Sequence, residues 1–305
     1  MYTVLITGGT GLVGRRLSEL LITRGYRVII LTRAAKKEKL RGTEYAEWDV
    51  KKQTIDIAAV QSADYIIHLA GAGVVEKRWT AGYKKEILSS RTESSKLLLR
   101  TLQDHPNSVK AIISASAIGW YGPDKAPAVP FTETARPFDD FLGQTCVAWE
   151  ASISSNNNSI RVCRLRTGIV LGKTGGALAE FLKPIRFGIA AILGTGKQVI
   201  SWIHIDDLCR MYIHAMENEA LHGSYNAVAP VPVSNKELTM MLAEKIKGRF
   251  FIPMHVPSFV LKMIMGESSI EVLKSCTVSC DKIKSTGFIF LFPSPEAALK
   301  EITGK

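Results

Sequence analysis

Cysteine is scarce: five in 305 residues. They are too few and too scattered for the disulfide framework of a secreted scaffold, which points to a reducing compartment. No apolar run approaches the ~18–20 residues that a membrane span needs. A signal peptide is not expected either, because the strand-like run Thr3-Val4-Leu5-Ile6 starts almost at once. Internal repeats are absent. The only biased stretch, residues 154–159, reads as an asparagine-rich surface loop. A cytoplasmic protein with no membrane partner is the expectation. Hydrophobic residues make up 46% and charged residues 22%, near the globular average, so disordered, collagen-like and coiled-coil classes are excluded. The length suits one large domain or two modest ones.

Acidic residues are under-represented, and the formal charge is +11. Residues 1–110 hold 19 Lys/Arg against 11 Asp/Glu, residues 111–235 hold 10 against 10, and residues 236–305 hold 10 against 7. The surplus therefore lies in the N-terminal third, with a cluster at Arg33, Lys36, Lys37, Lys39 and Arg41. Such a cluster can serve nucleic acid, an anionic membrane or a phosphorylated small molecule, or be a solvated face. Its place in the chain decides.

What is present is an alternation of apolar strands and helical patterns. Residues 3–7, 27–31, 44–48, 65–69, 110–114 and 161–165 read as strands. Residues 12–24, 56–61, 80–102 and 140–155 read as helices, and Leu17, Leu20 and Leu21 recur at i, i+3, i+4. This is an α/β pattern, with a parallel sheet covered on both faces. Beyond Val170 the pattern loosens. Gly172, Gly175, Gly176, Gly188, Gly194 and Gly196 suggest loops and short elements there. Residues 1–170 are expected to form one domain, with returning elements near 203–230. Residues 171–202 and 231–305 are expected to form a smaller lobe, with helices near 235–246, 259–265 and 296–302.

Between the first strand and the first helix lies Thr7-Gly8-Gly9-Thr10-Gly11-Leu12-Val13-Gly14. Glycines at 8, 11 and 14 let a pyrophosphate approach backbone N–H groups at the positive end of a helix. A merely tight strand-to-helix turn is the alternative, but the strand precedes, the helix follows and the unit opens the sequence, which favours the dinucleotide reading. Gly8, Thr10, Gly11, Leu12, Val13 and Gly14 are therefore candidate dinucleotide-binding residues. The second strand ends Leu31-Thr32-Arg33, without the acidic residue that would hold the ribose hydroxyls of NAD. A guanidinium stands where a 2′-phosphate would bind. Thr32 and Arg33 thus point to NADP(H), and the basic cluster acquires a task that needs no nucleic acid.

These residues resemble the short-chain dehydrogenase/reductase superfamily, extended type, which includes sugar-nucleotide epimerases and dehydratases. The resemblance runs through His68-Leu69-Ala70-Gly71, Ser114-Ala115-Ser116-Ala117 with Trp120-Tyr121-Gly122, Arg164–Gly172, Gly194-Thr195-Gly196-Lys197-Gln198 and Ser201–Asp207. Lys77-Arg78-Trp79-Thr80, Asp140-Phe141-Leu142, Cys146, Trp149-Glu150 and Gly287-Phe288 are similar to an atypical branch of epimerase-family proteins with an extra C-terminal domain. The resemblance implies a Rossmann-type doubly wound parallel sheet with a smaller mixed C-terminal substrate lobe. It also implies that Leu69, Ala70, Gly71, Ala115 and Arg166 line the cofactor, that the substrate is a small molecule, and that a homodimer is the common assembly.

One departure is chemical. The family's Tyr-x-x-x-Lys pair, on the helix after the fifth strand, supplies the proton and holds the nicotinamide ribose. Counting back from Glu150 puts Leu142 and Cys146 in those positions. Neither can replace its counterpart. Ser116, in the place of the family's catalytic Ser/Thr, and Tyr121, the nearest phenol, are the remaining candidates for the catalytic proton chemistry. Tyr121 could equally be a packing residue, and Ser116 a plain loop serine. His204 with Asp206 reads as strand into capped helix, His68 as a shaper of the cofactor loop, and Cys276 with Cys280 as ordinary cysteines rather than a metal site. Lys77-Arg78-Trp79 lies on the ligand edge of the sheet, where it could grip an anionic substrate or cover the nicotinamide. Two readings stay open: an NADP(H)-dependent oxidoreductase or epimerase-like enzyme with a non-standard acid/base, and a non-catalytic NADP(H)-binding redox sensor.

Overall fold

The computed structural model of the chain describes residues 1–33, 40–126, 128–154, 160–173 and 175–304. Lys36, Lys37 and Lys39, and residues 155–159 of the asparagine-rich loop, lie outside the described residues. The first half runs β1 (Thr3–Thr7), α1 (Leu12–Thr23), β2 (Arg27–Thr32), β3 (Thr43–Asp49), β4 (Thr54–Ile55), α2 (Ile57–Gln61), β5 (Tyr65–His68), α3 (Ala81–Asp104), β6 (Ala111–Ala117), α4 (Phe141–Ser152) and β7 (Arg161–Thr167). Each expected element of this half is present. The second half begins with β8 (Ile169–Leu171), α5 (Gly176–Arg186), β9 (Ile189–Leu193), β10 (Val199–Ile200), β11 (Trp202–His204), α6 (Ile205–Glu217) and β12 (Gly223–Ala227). It ends with β13 (Val233–Ser234), α7 (Asn235–Lys247), β14 (Ile252–Val256), α8 (Ser258–Met265), α9 (Ser269–Leu273), α10 (Asp281–Lys284) and α11 (Pro295–Thr303).

The main sheet has the order β12-β7-β6-β5-β1-β2-β3-β4, parallel except for β4. The chain starts in the middle, runs outward to β4, and returns on the other side of β1 at β5. Between the carboxyl ends of β1 and β5 the sheet leaves the crevice in which doubly wound folds bind ligands.

Period-two alternation sends the strand residues to two cores. Val4 and Ile6 of β1, Val28 and Ile30 of β2, and Ile67 of β5 pack with Leu17 and Leu21 of α1 and with Leu208, Met211 and Tyr212 of α6. Leu5, Ile29, Leu31, Ile66 and Ile112 pack on the opposite face with Leu97, Leu98 and Leu102 of α3. A third core, with Leu178, Ile185, Trp202, Leu238, Leu242 and Leu299, belongs to the lobe. The first core also contains Cys276, Val278, Cys280, Ile283 and Phe288, so part of the C-terminal segment packs with the sheet. No helix among the described residues is long and apolar enough to cross a membrane.

Candidate functional site

The glycine loop is built by close approach. Gly8 has φ +67°, and a Cβ there would meet the Leu69 backbone carbonyl carbon at 2.8 Å. A Cβ on Gly14 would come within 2.5 Å of the Gly8 carbonyl oxygen and the Gly9 Cα. Gly11 differs. Its φ of −77° suits any residue, and the nearest atom to an added Cβ is the Gly8 oxygen at 3.3 Å. Gly11 is also the N-cap of α1, with no side-chain cap and no acidic residue in the first turn. The N–H groups around Leu12 and Val13 therefore head an uncapped helix end beside Thr10, the arrangement that receives an anion.

Thr7 ties this loop to the next one. Its Oγ1 accepts from the N–H groups of Leu69 and Ala70 at 3.1 and 3.2 Å and lies 2.7 Å from His68 Nδ1. The hydroxyl therefore donates to Nδ1, which leaves His68 Nε2–H for Ser95 Oγ at 3.1 Å. His68 is wholly buried, and desolvation pushes its pKa down to about 4, so it is a neutral brace. Thr32 ends β2, and Arg33 follows it with its side chain exposed. The residues present fit a dinucleotide: an uncapped helix start, a surface with no room for side chains, and a cation at the second strand end.

At the other end of the crevice the expected catalytic residues are brought together, but into a closed network. Ser116 Oγ donates to Glu150 Oε1 at 2.7 Å. Arg166 forks onto Glu150 through Nε (2.8 Å) and Nη2 (3.0 Å), and its Nη1 donates to Tyr121 Oη at 3.1 Å and the Glu133 carbonyl at 3.2 Å. Tyr121 Oη in turn donates to Asn226 Oδ1 at 2.7 Å. Trp120 lies 3.7 Å from the Arg166 guanidinium. Two of the expected site residues are held inside this network. Arg166, expected against the cofactor, is 3% exposed and committed to Glu150. Tyr121, expected as a proton donor, is fully buried; desolvation pushes its pKa up to about 12. Glu150 is buried too, which alone would raise its pKa, but the forked Arg166 and the Ser116 and Ser224 hydroxyls hold it below the usual carboxylate value. It is no proton source at neutral pH.

Leu142 and Cys146 face Gly119: a Cβ there would lie 3.3 Å from Leu142 Cβ and 3.7 Å from Cys146 Sγ. Cys146 is buried, and desolvation pushes its thiol up to about 12. One Tyr-x-x-x-Lys spacing that the sequence reading passed over does exist, at Tyr121 and Lys125. It runs through Gly122-Pro123 in a loop, so no helix face aligns the two side chains, and Lys125 is exposed. Ala115 lies in β6, half-buried beside Ser116.

Lys77-Arg78-Trp79 packs toward the C-terminal segment. Trp79 meets Phe141 edge-on at 5.0 Å, and neighbouring Lys84 pairs with Glu267 at 2.6 Å. A Cβ on Gly266 would sit 3.2 Å from Arg78 Nη2. His204, not Asp206, caps α6, accepting the Asp206 N–H on Nδ1 at 3.2 Å; Asp206 pairs with Arg16 at 2.6 Å. Cys276 and Cys280 are buried and free, and no His/Cys/Asp/Glu cluster among the described residues could hold a metal. The residue that sequence reasoning missed is Arg91. It lies on α3, in the buried face formed by Ile87, Arg91, Ser94, Ser95 and Leu98. That spacing was the available signal.

The comparisons with known proteins agree with this architecture. Residues 4–227 match the NAD dependent epimerase/dehydratase family. The chain belongs to that family. Residues 256–302 match a domain of unknown function. As a family member the chain has extensive relatives: the human epimerase family protein SDR39U1 is 32% identical over 302 residues, 98% of this chain and 99% of that one. Epimerase family protein YfhF of Bacillus subtilis is 33% identical over 301 residues, 98% and 97% of the two chains. A crystal structure of the human protein with NADPH superposes with a TM-score of 0.87, at 32% identity and 99% coverage of both chains. UDP-glucose 4-epimerase of Thermotoga maritima, at 22% identity, TM-score 0.78 and coverage of 99% and 97%, shares the fold. The Rossmann-type α/β fold implied by the sequence is therefore the family's NAD(P)-binding fold.

Proposed function

We propose that the chain binds NADP(H) in preference to NAD(H) and acts as an oxidoreductase or epimerase-like enzyme on a small-molecule substrate, with an acid/base other than Tyr-x-x-x-Lys. The observation that carries the cofactor choice is Arg33, exposed at the end of β2 beyond the uncapped start of α1, where an acidic residue would repel a 2′-phosphate. The human relative that covers this chain almost end to end has been crystallised with NADPH, which supports the same choice. Gly8, Gly11 and Gly14, with Leu12 and Val13, would hold the pyrophosphate, and Leu69, Ala70, Gly71 and Ala115 would flank the nicotinamide half. The bound cofactor would supply hydride chemistry, and these residues would orient it.

Titration with the two reduced cofactors is the test. NADPH should bind at least ~10-fold more tightly than NADH, because a charge-assisted phosphate contact is worth roughly 1.5–3 kcal/mol. Arg33→Ala should remove most of that preference. Equal affinities in the unmodified chain overturn the proposal.

A second reading, a non-catalytic redox sensor, draws support from the closed network. The hydroxyls of Ser116 and Tyr121 are both donated inward, to Glu150 and Asn226. Stereospecific transfer from 4-deuterated NADPH across a carbonyl panel distinguishes the two. Tight NADPH binding with no deuterium accepted by any compound favours the sensor.

A further inference from the structure

Among the described residues, two buried arginines flank α4, and only one has a counter-charge. Arg166 is forked onto Glu150. Arg91, on α3, is 8% exposed, and among the described residues no carboxylate pairs with it. Its one hydrogen bond there runs from Nη1 to the Ile87 carbonyl of its own helix at 2.8 Å, and its guanidinium lies 4.8 Å from the Trp149 ring. An arginine cannot shed its proton in a protein, so this is a buried charge held by one carbonyl and one aromatic face. Trp149 Nε1, on the facing helix, is itself a buried donor with no acceptor. Among the described residues, Arg91 Nε and Nη2 and Trp149 Nε1 thus have no protein acceptor at this helix interface.

Position gives the arrangement a use. The guanidinium lies against Gly71, where an added Cβ would be 3.2 Å from Arg91 Cζ and 3.4 Å from Nη1. Gly71 follows β5, on the ligand edge of the sheet. We infer that Arg91 is the fixed cation of this crevice and takes a small oxyanion, so that the substrate carries a carboxylate. The inference deepens the proposed function by naming a substrate class and rests on that reading for the place of the substrate. Burying the charge without a protein counter-charge keeps the guanidinium ready for the ligand.

Sodium oxalate, titrated by calorimetry at constant ionic strength with and without NADPH, tests it. NADPH affinity is measured separately, so failure of the cofactor reading and failure of the anion site are distinct results. Saturable oxalate binding is expected for the unmodified chain, at least tenfold weaker for Arg91→Met and several-fold weaker for Arg91→Lys, which keeps the charge but loses the fork. Arg91→Met should also melt no lower than the parent without oxalate, since it removes an uncompensated charge; a purely structural arginine would make it melt lower. The site is overturned if oxalate does not saturate the parent chain, or if both variants bind it as the parent does. Should Arg91→Met fail to fold, Arg91→Lys alone decides: unchanged oxalate binding overturns the site.

Discussion

The two ends of the crevice are built by opposite means. Around residues 7–14 backbone packs directly on backbone without side chains, and the first turn of α1 begins in uncapped N–H groups. Around Glu150 and Arg166 the chain fills space, and the polar side chains of Ser116, Tyr121, Glu150 and Arg166 point at one another. One end is an open invitation to an anion, whereas the other is a satisfied polar core. The same sheet edge thus separates binding from stability, and substitutions should separate them too.

The largest effect is expected at the open end. Gly11→Val makes one tight backbone contact, its Cβ 3.3 Å from the Gly8 oxygen, which a small shift relieves, but its branches would stand where phosphates must reach the helix. We expect a folded variant, with a cooperative circular dichroism melt at most slightly below that of the parent, whose NADPH binding falls below detection. Normal binding by the folded variant would mean that the loop is not the cradle. At the closed end, Arg166→Met strands a buried carboxylate and should cost about 3–5 kcal/mol in urea unfolding, whereas the double change with Glu150→Leu should recover most of it. NADPH affinity of the double variant should stay near that of the parent; a large loss would join the two ends again.

His68 sharpens the comparison from between them. Its pKa falls from the ordinary 6.5 to about 4 on burial. The unfolded chain therefore takes up a proton first as pH falls, and between those two values folding stability declines on acidification. The loss approaches roughly 3 kcal/mol at the lower limit. Urea midpoints measured across this window should shift with pH, and His68→Asn should flatten the dependence. A slope that His68→Asn leaves untouched would assign the effect elsewhere, with His204, also lowered by desolvation, as the next site to replace.

The parallel sheet was legible because its strands are apolar runs buried on both faces, and the cradle because its glycines stand at fixed distances from a strand and a helix. The lobe was harder to read. Helix α5 begins at Gly175 and Gly176, residues that a sequence presents as breakers, and it carries Pro184 near its end. Strand β9 pairs in parallel with β14 some sixty residues later, and nothing local marks that partnership. The site failed to show itself for a related reason. Arg166 at a strand end looks available until Glu150, sixteen residues earlier on a helix, is seen to neutralise it. Arg91 looks like an ordinary helix arginine until its counter-charge is sought.

The segment from Cys276 to Phe288 shares a hydrophobic core with α1, α6 and the central strands. Asp207 at the start of α6 also receives the backbone N–H groups of Leu291 and Phe292 at 2.9 and 2.8 Å. A premature stop codon before residue 276 would therefore do more than delete a C-terminal appendage. It would strip one flank of the nucleotide-binding half and leave apolar surface for chaperones and proteases to find. A cut there would unmake part of the beginning of the protein.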